Sequence, residues 1–184
     1  MQILIVPGIG NSGPDHWQSR WQASHEGLRR MEAGSWDEPE CGDWVAAIER
    51  AMVALGPDTL IVAHSLGCLA VAHWAATTGH AACRAALLVA VPDPRGPAFP
   101  AAAHGFAPLP ERRFDFPSLI VASGDDPYAG VGHARHCARA WGSGLHDAGK
   151  LGHINAASGL GDWPEGWELL EQLKRSSPAP ASAA

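Results

Sequence analysis

The sequence predicts an α/β fold, a three-layer sandwich in which helices cover both faces of a parallel sheet. Two observations carry this. Six short apolar runs, rich in β-branched residues or Leu, alternate with longer helix-compatible stretches. The 184 residues, 46% apolar and 17% charged, also suit one domain with a continuous core, expected over residues 1–175.

The first run, 3–6, leads into a glycine-rich loop, Pro7-Gly8-Ile9-Gly10-Asn11-Ser12-Gly13. His16 and Trp17 then open the first helix, where they either line a pocket or pack on the sheet. A weak second run lies at 28–33. Trp44, Ile48, Met52 and Leu55 recur at helical spacing and stop at Gly56-Pro57, a helix terminus followed by a turn. The third run, 59–63, passes directly into a second helical stretch after Ser65. The fourth, 85–91, is followed by Pro92, Pro94, Pro97, Pro100, Pro108 and Pro110, which exclude a long helix or central strand over 92–116. That segment is either the rim of a site at the carboxyl edge of the sheet or a wrap over the surface. Runs at 118–123 and 144–148 complete the sheet. Asp162-Trp163-Pro164-Glu165 reads as a capping box that opens a last helix, with Trp163, Gly166 or Trp167, Leu170 and Leu173 facing the core. The Ser, Pro and Ala tail, 176–184, has too little apolar bulk to offset its ordering entropy and is expected to be disordered.

A net charge of -6 and a pI near 5.9 leave no basic excess for phosphates, which argues against nucleic acid or an anionic membrane as partner. Without a secretory signal pattern or an apolar run of about 20 residues, the chain is expected to be soluble and cytoplasmic. Cys41, Cys68, Cys83 and Cys137 stand apart, with no Cys-x-x-Cys pair, and are expected to be small buried hydrophobes. Most of the eight tryptophans fall in helical stretches, as core residues do.

The stretch Leu60-Ile61-Val62-Ala63-His64-Ser65-Leu66-Gly67-Cys68 carries the chemistry. A buried strand, a sharp turn at a serine and an immediate helix form a nucleophile elbow, with small residues two positions either side, here Ala63 and Gly67. A bland alternative is that Ser65 merely caps the helix. A serine hydroxyl is a weak nucleophile until a base takes its proton, and a carboxylate must orient that base. The chain order nucleophile, acid, histidine is met by Ser65, then Asp125 or Asp126 after the fifth run, then His153 after the sixth. Backbone amides for an oxyanion are expected at Leu66 and at Ile9, with Gly10 the near alternative. The glycine loop has neither G-x-G-x-x-G nor a Gly-Lys-Ser ending, so no nucleotide cofactor is expected. His133 and His136 lack a third ligand at zinc-like spacing, so no metal is expected either. His64, adjacent to the serine, cannot readily act as the base and is read as a packing or orienting residue.

Together, the glycine loop continuing into Pro14-Asp15-His16-Trp17, the segment Ser35-Trp36-Asp37-Glu38-Pro39, the Ala63-His64-Ser65-Leu66-Gly67-Cys68 elbow, Asp126-Pro127-Tyr128 and Gly152-His153-Ile154-Asn155 resemble the small serine hydrolases related to retinoblastoma-binding protein nine and the YdeN proteins. The resemblance spans residues 2–173. It implies a reduced α/β-hydrolase fold with strand order 2-1-3-4-5-6, a triad of Ser65, Asp126 and His153, and esterase-like hydrolysis of a small acyl substrate without a large lid. Two other readings stand beside it: a protein-binding scaffold that retains the hydrolase fold, and acyl transfer to an acceptor other than water.

Overall fold

A computed structural model of the chain describes residues 1–77 and 79–177. Its elements run β1 (Gln2–Val6), α1 (Trp17–Ser24), β2 (Leu28–Arg30), α2 (Cys41–Leu55), β3 (Thr59–His64), α3 (Leu66–Ala76), β4 (Ala85–Val89), β5 (Ser118–Ala122), α4 (Val131–Trp141), β6 (Gly144–Asp147) and α5 (Pro164–Ser176). The six strands form one sheet in the order β2-β1-β3-β4-β5-β6, and every pairing is parallel.

The two-residue period of a strand divides the core into two layers. Leu4 and Val6 of β1, with Ile61 and Ala63 of β3, face α2, α3 and α4. Ile3 and Ile5, with Leu60 and Val62, face α1 and α5. Both faces of the central strands are therefore covered, which explains why their sequences read as unbroken apolar runs. Cys41, Cys68 and Cys137 are buried among these residues, as expected of small hydrophobes, whereas Cys83 is only half-buried. No described helix is long and apolar enough to cross a membrane.

Several boundaries differ from the sequence reading. The second strand stops at Arg30, and the sixth at Asp147. β4 ends at Val89, and the next residue, Ala90, takes φ 56°, outside the range of a strand. The expected capping box at Asp162 is absent: Trp163 is the N-cap, in a left-handed conformation, without a side-chain cap bond. The Asp162 carboxylate lies instead 3.6 Å from the Arg20 guanidinium. Pro164 does open the helix, and Gly166, Leu170 and Leu173 are its buried stripe. The helix α5 ends at Ser176, and the buried Ser177 accepts at its carbonyl from Arg84 at 3.1 Å. The rest of the expected tail, 178–184, lies outside the described residues.

The tryptophans do more than fill space. Trp21, Trp44 and Trp141 are buried, and their indole N–H groups donate to the carbonyls of Asp162, Ser35 and Pro110 at 2.6, 3.0 and 2.9 Å. Each ring thus packs in the core while its polar edge pins a loop.

Candidate active site

All six strands point the same way, so the loops that follow them share one edge of the sheet. Ser65 sits where β3 meets α3, at φ 52° and ψ -124°, a conformation rare for a side chain with a Cβ. The turn is tight because α3 starts against β1: a Cβ at Gly67 would lie 2.5 Å from the carbonyl oxygens of both Val6 and Pro7. The Ser65 side chain makes no cap bond to α3, so the helix-cap reading of this residue does not hold.

The Ser65 hydroxyl is instead 2.8 Å from Nε2 of His153, 88 positions later in the chain. Nδ1 of His153 lies 2.9 Å from each carboxylate oxygen of Asp126. Since a carboxylate accepts, the imidazole proton sits on Nδ1 and the Nε2 lone pair faces the hydroxyl. The three side chains are largely out of water: Ser65 is 8% exposed, His153 9% and the Asp126 side chain 3%. Tyr128 donates its amide to Asp126 at 2.9 Å and lays its ring 4.3 Å from that of His153.

Asp125 stands one residue away and does something else. Its carboxylate accepts from the Gly152 amide at 2.8 Å and from the Ser123 hydroxyl at 2.9 Å, and these bonds hold its pKa below the usual carboxylate value. Ser123 in turn accepts from the Leu151 amide at 2.9 Å. The loop after β5 therefore presents Asp126 to the imidazole and fixes the approach to His153 through Asp125.

The two oxyanion candidates are also separated by geometry. The Gly10 amide donates to the Trp36 carbonyl at 2.8 Å and is committed. The Ile9 and Leu66 amides are taken up by no protein acceptor among the described residues, and both residues line a cavity of about 380 Å³ beside Ser65. Its polar wall holds Asn11, His16 and Asn155, and its apolar wall Pro92, Phe99 and Pro100. The proline-rich segment is thus both a rim and a cover, because Phe106, Phe114 and Phe116 further along it are buried in the core.

His16 and Trp17 divide the two roles open to them. His16 caps α1, with Nδ1 accepting from the Gln18 amide at 3.2 Å, and borders the cavity, whereas Trp17 is buried in the core. Burial, the Arg30 cation and His153, in that order, lower the pKa of His16 to about 4. His64 is buried as well, and desolvation, then His16 and His153, push its pKa well below 6.5. His133 and His136 lie apart from Ser65, beside Asp93 and Glu111 respectively, and no group of three or more metal-ligating side chains converges among the described residues.

A family profile described as serine hydrolase matches residues 3–172. The chain belongs to the serine hydrolase family. Membership makes it a hydrolase, and solved structures agree on the fold. This serine hydrolase is similar to a YdeN-like hydrolase from Pectobacterium atrosepticum, at 29% identity and a TM-score of 0.83, over 96% of this chain and 92% of that one. It is similar to the ydeN gene product of B. subtilis at 22% identity and a TM-score of 0.76, over 95% and 99% of the two chains. The esterase RhEst1 from Rhodococcus sp. shares the fold at 16% identity and a TM-score of 0.69, over 97% and 91%. A search of curated proteins finds no match.

Proposed function

We propose that this serine hydrolase cleaves a small, uncharged acyl ester or amide through an acyl-Ser65 intermediate. The observation that carries the reading is the unbroken line of hydrogen bonds from Ser65 through His153 to Asp126, at 2.8 and 2.9 Å. His153 takes the hydroxyl proton as Ser65 Oγ bonds to the acyl carbon, and Asp126 holds the tautomer and stabilises the imidazolium. The Ile9 and Leu66 amides receive the oxyanion, Leu66 from the N-terminus of α3. The tetrahedral intermediate collapses, His153 protonates the departing alcohol or amine, and water then releases the acyl group by the same steps.

The cavity supports the substrate class. Its described lining has no Asp, Glu, Lys or Arg, so a charged acyl group would be buried without a partner, a cost of several kcal/mol. About 380 Å³ lies at the lower end of small-molecule sites, which suits a short chain.

A fluorophosphonate probe and a panel of acyl esters of increasing length test this together. The wild type should be labelled and turn over the short neutral esters, and Ser65→Ala should lose labelling and at least about 10⁴-fold in kcat/KM. Equal labelling of both proteins would discard the assignment.

A further inference from the structure

The loop that carries His153 springs from the most exposed strand of the sheet. β6 is an edge strand, exposed throughout, with β5 as its single neighbour. The loop contains three positive-φ residues close to the histidine: Gly149 at 77°, Gly152 at 57° and Ile154 at 46°. For Ile154, a β-branched residue, that backbone is strained and persists only where surrounding contacts impose it. Asp125 and Ser123 hold the residues before His153, but they lie on one side of the loop and stop at Gly152.

From the other side come two ring N–H groups, each on a different element. His64 Nε2 lies 2.9 Å from the carbonyl oxygen of His153, and Trp17 Nε1 donates to the carbonyl of Ile154 at 2.8 Å. These are consecutive carbonyls of the base and of the strained residue after it. A carbonyl only accepts, so His64 carries its proton on Nε2. Both donors are buried, His64 at 4% and Trp17 at 1% exposure, and their rings meet edge to face with centroids 6.1 Å apart. His16 completes the group, 4.7 Å from His64 and 5.2 Å from Trp17. One hydrogen bond therefore joins the residue before the nucleophile to the backbone of the base.

We propose that His64 and Trp17 are a pair of positioning residues, whose ring N–H groups clamp the carbonyls of His153 and Ile154 and so keep the His153 imidazole in register with Ser65. The proposal rests on the serine hydrolase reading above and adds to it a source of alignment outside the triad. Its chemistry is consistent with the neutral state of the neighbouring rings. His153 must accept a positive charge during turnover, and its ring lies 4.9 Å from that of His64, so a second imidazolium there would oppose the step.

The test uses the full chain and a short neutral p-nitrophenyl ester. Trp17→Phe keeps the ring in the core and removes one N–H. His64→Leu removes the other, and His64→Gln returns an amide donor at a similar reach. A misplacement on the ångström scale is worth up to about 100-fold in rate, so kcat should fall about 10- to 100-fold in Trp17→Phe and His64→Leu while KM stays within about threefold. His64→Gln should recover most of the loss. Fluorophosphonate labelling, which needs the same base, should slow in step with kcat. Unchanged kcat in Trp17→Phe, a loss confined to KM, or a His64→Gln variant as slow as His64→Leu would overturn the clamp. If His64→Leu does not fold, as judged by circular dichroism, Trp17→Phe and His64→Gln decide. A wild type that shows no Ser65-dependent labelling would instead sink the serine hydrolase reading itself, so the two failures are distinguishable.

Discussion

Ser65 holds a backbone angle that a serine avoids, and the adjacent contacts explain how it persists. Its amide donates to the Val89 carbonyl at 2.9 Å, its carbonyl accepts from Cys68 at 2.8 Å, and Gly67 lets α3 close onto the end of β1. Gly67→Ala forces a methyl to within 2.5 Å of two carbonyl oxygens that belong to backbone and cannot swing away. We expect a destabilisation of about 2–3 kcal/mol or more, read as a drop in the thermal midpoint, with loss of fluorophosphonate labelling as the elbow shifts. The residue scale is also where the sequence was most legible and where it stopped. Ser65, His153 and Gly67 each follow from local pattern and chain order. Asp125 and Asp126 do not separate that way, because both are turn-forming residues at the end of one strand, and only folding decides which carboxylate meets an imidazole and which meets an amide. His64 was open to orientation as a role, yet its bond to the His153 carbonyl spans 89 positions and leaves no local mark.

Between β1 and α1, the glycine loop is held by an element on its far side. Arg30, the last residue of β2, donates from Nη1 to the Asn11 side-chain oxygen at 2.6 Å and to the Ser12 carbonyl at 3.0 Å. It also donates from Nη2 to the Ser19 hydroxyl at 2.8 Å and from Nε to Gln22 at 3.0 Å, so one guanidinium ties the loop to α1. Arg30→Met should keep the packing of the stem and release the loop that offers the Ile9 amide. The expected outcome is a kcat for a short ester reduced at least about 10-fold, with a thermal midpoint lower by only about 5 °C. A midpoint that drops with no change in kcat would mean the loop is held without Arg30. The short strand that supplies this residue was the hardest to delimit from sequence, since three residues with two arginines carry almost no apolar signal. The capping box failed for a related reason: Asp162-Trp163-Pro164-Glu165 has the right letters, but the Trp163 indole belongs in the core at 3% exposure, and burying it turns the backbone left-handed at the cap. Tertiary packing overrode the local rule.

At the scale of the whole molecule, strand count, parallel direction and two-sided burial were all readable, because a parallel sheet imposes apolar runs and a wide spacing between them. The strand order came from resemblance and not from those runs, which are silent about neighbours. Global stability should also register the buried histidines. In the unfolded chain His16 takes a proton near pH 6.5, whereas in the fold it resists until about pH 4, and burial likewise holds His64 well below 6.5. Between those values the unfolded state binds more protons, so the contribution is complete above about pH 6.5 and is lost as pH falls toward 4. For His16 alone the displacement from 6.5 to about 4 corresponds to roughly 3 kcal/mol. Urea midpoints measured from pH 8 down to pH 4.5 should decline, and His16→Asn, which keeps a cap acceptor for α1, should flatten the decline. A midpoint independent of pH over that range would contradict the burial of these rings.

The stretch after β4 contributes no member of the Ser65, Asp126 and His153 line, yet it furnishes Pro92, Phe99 and Pro100 to the cavity. One wall of the cavity therefore comes from a length of chain that carries no member of that line, while Asn11, His16, Tyr128 and Asn155 line the rest from the loops around it. Substitutions at Phe99 and Pro100 would recontour one side of the chamber for a different guest while the residues that make and break bonds stay on their own loops.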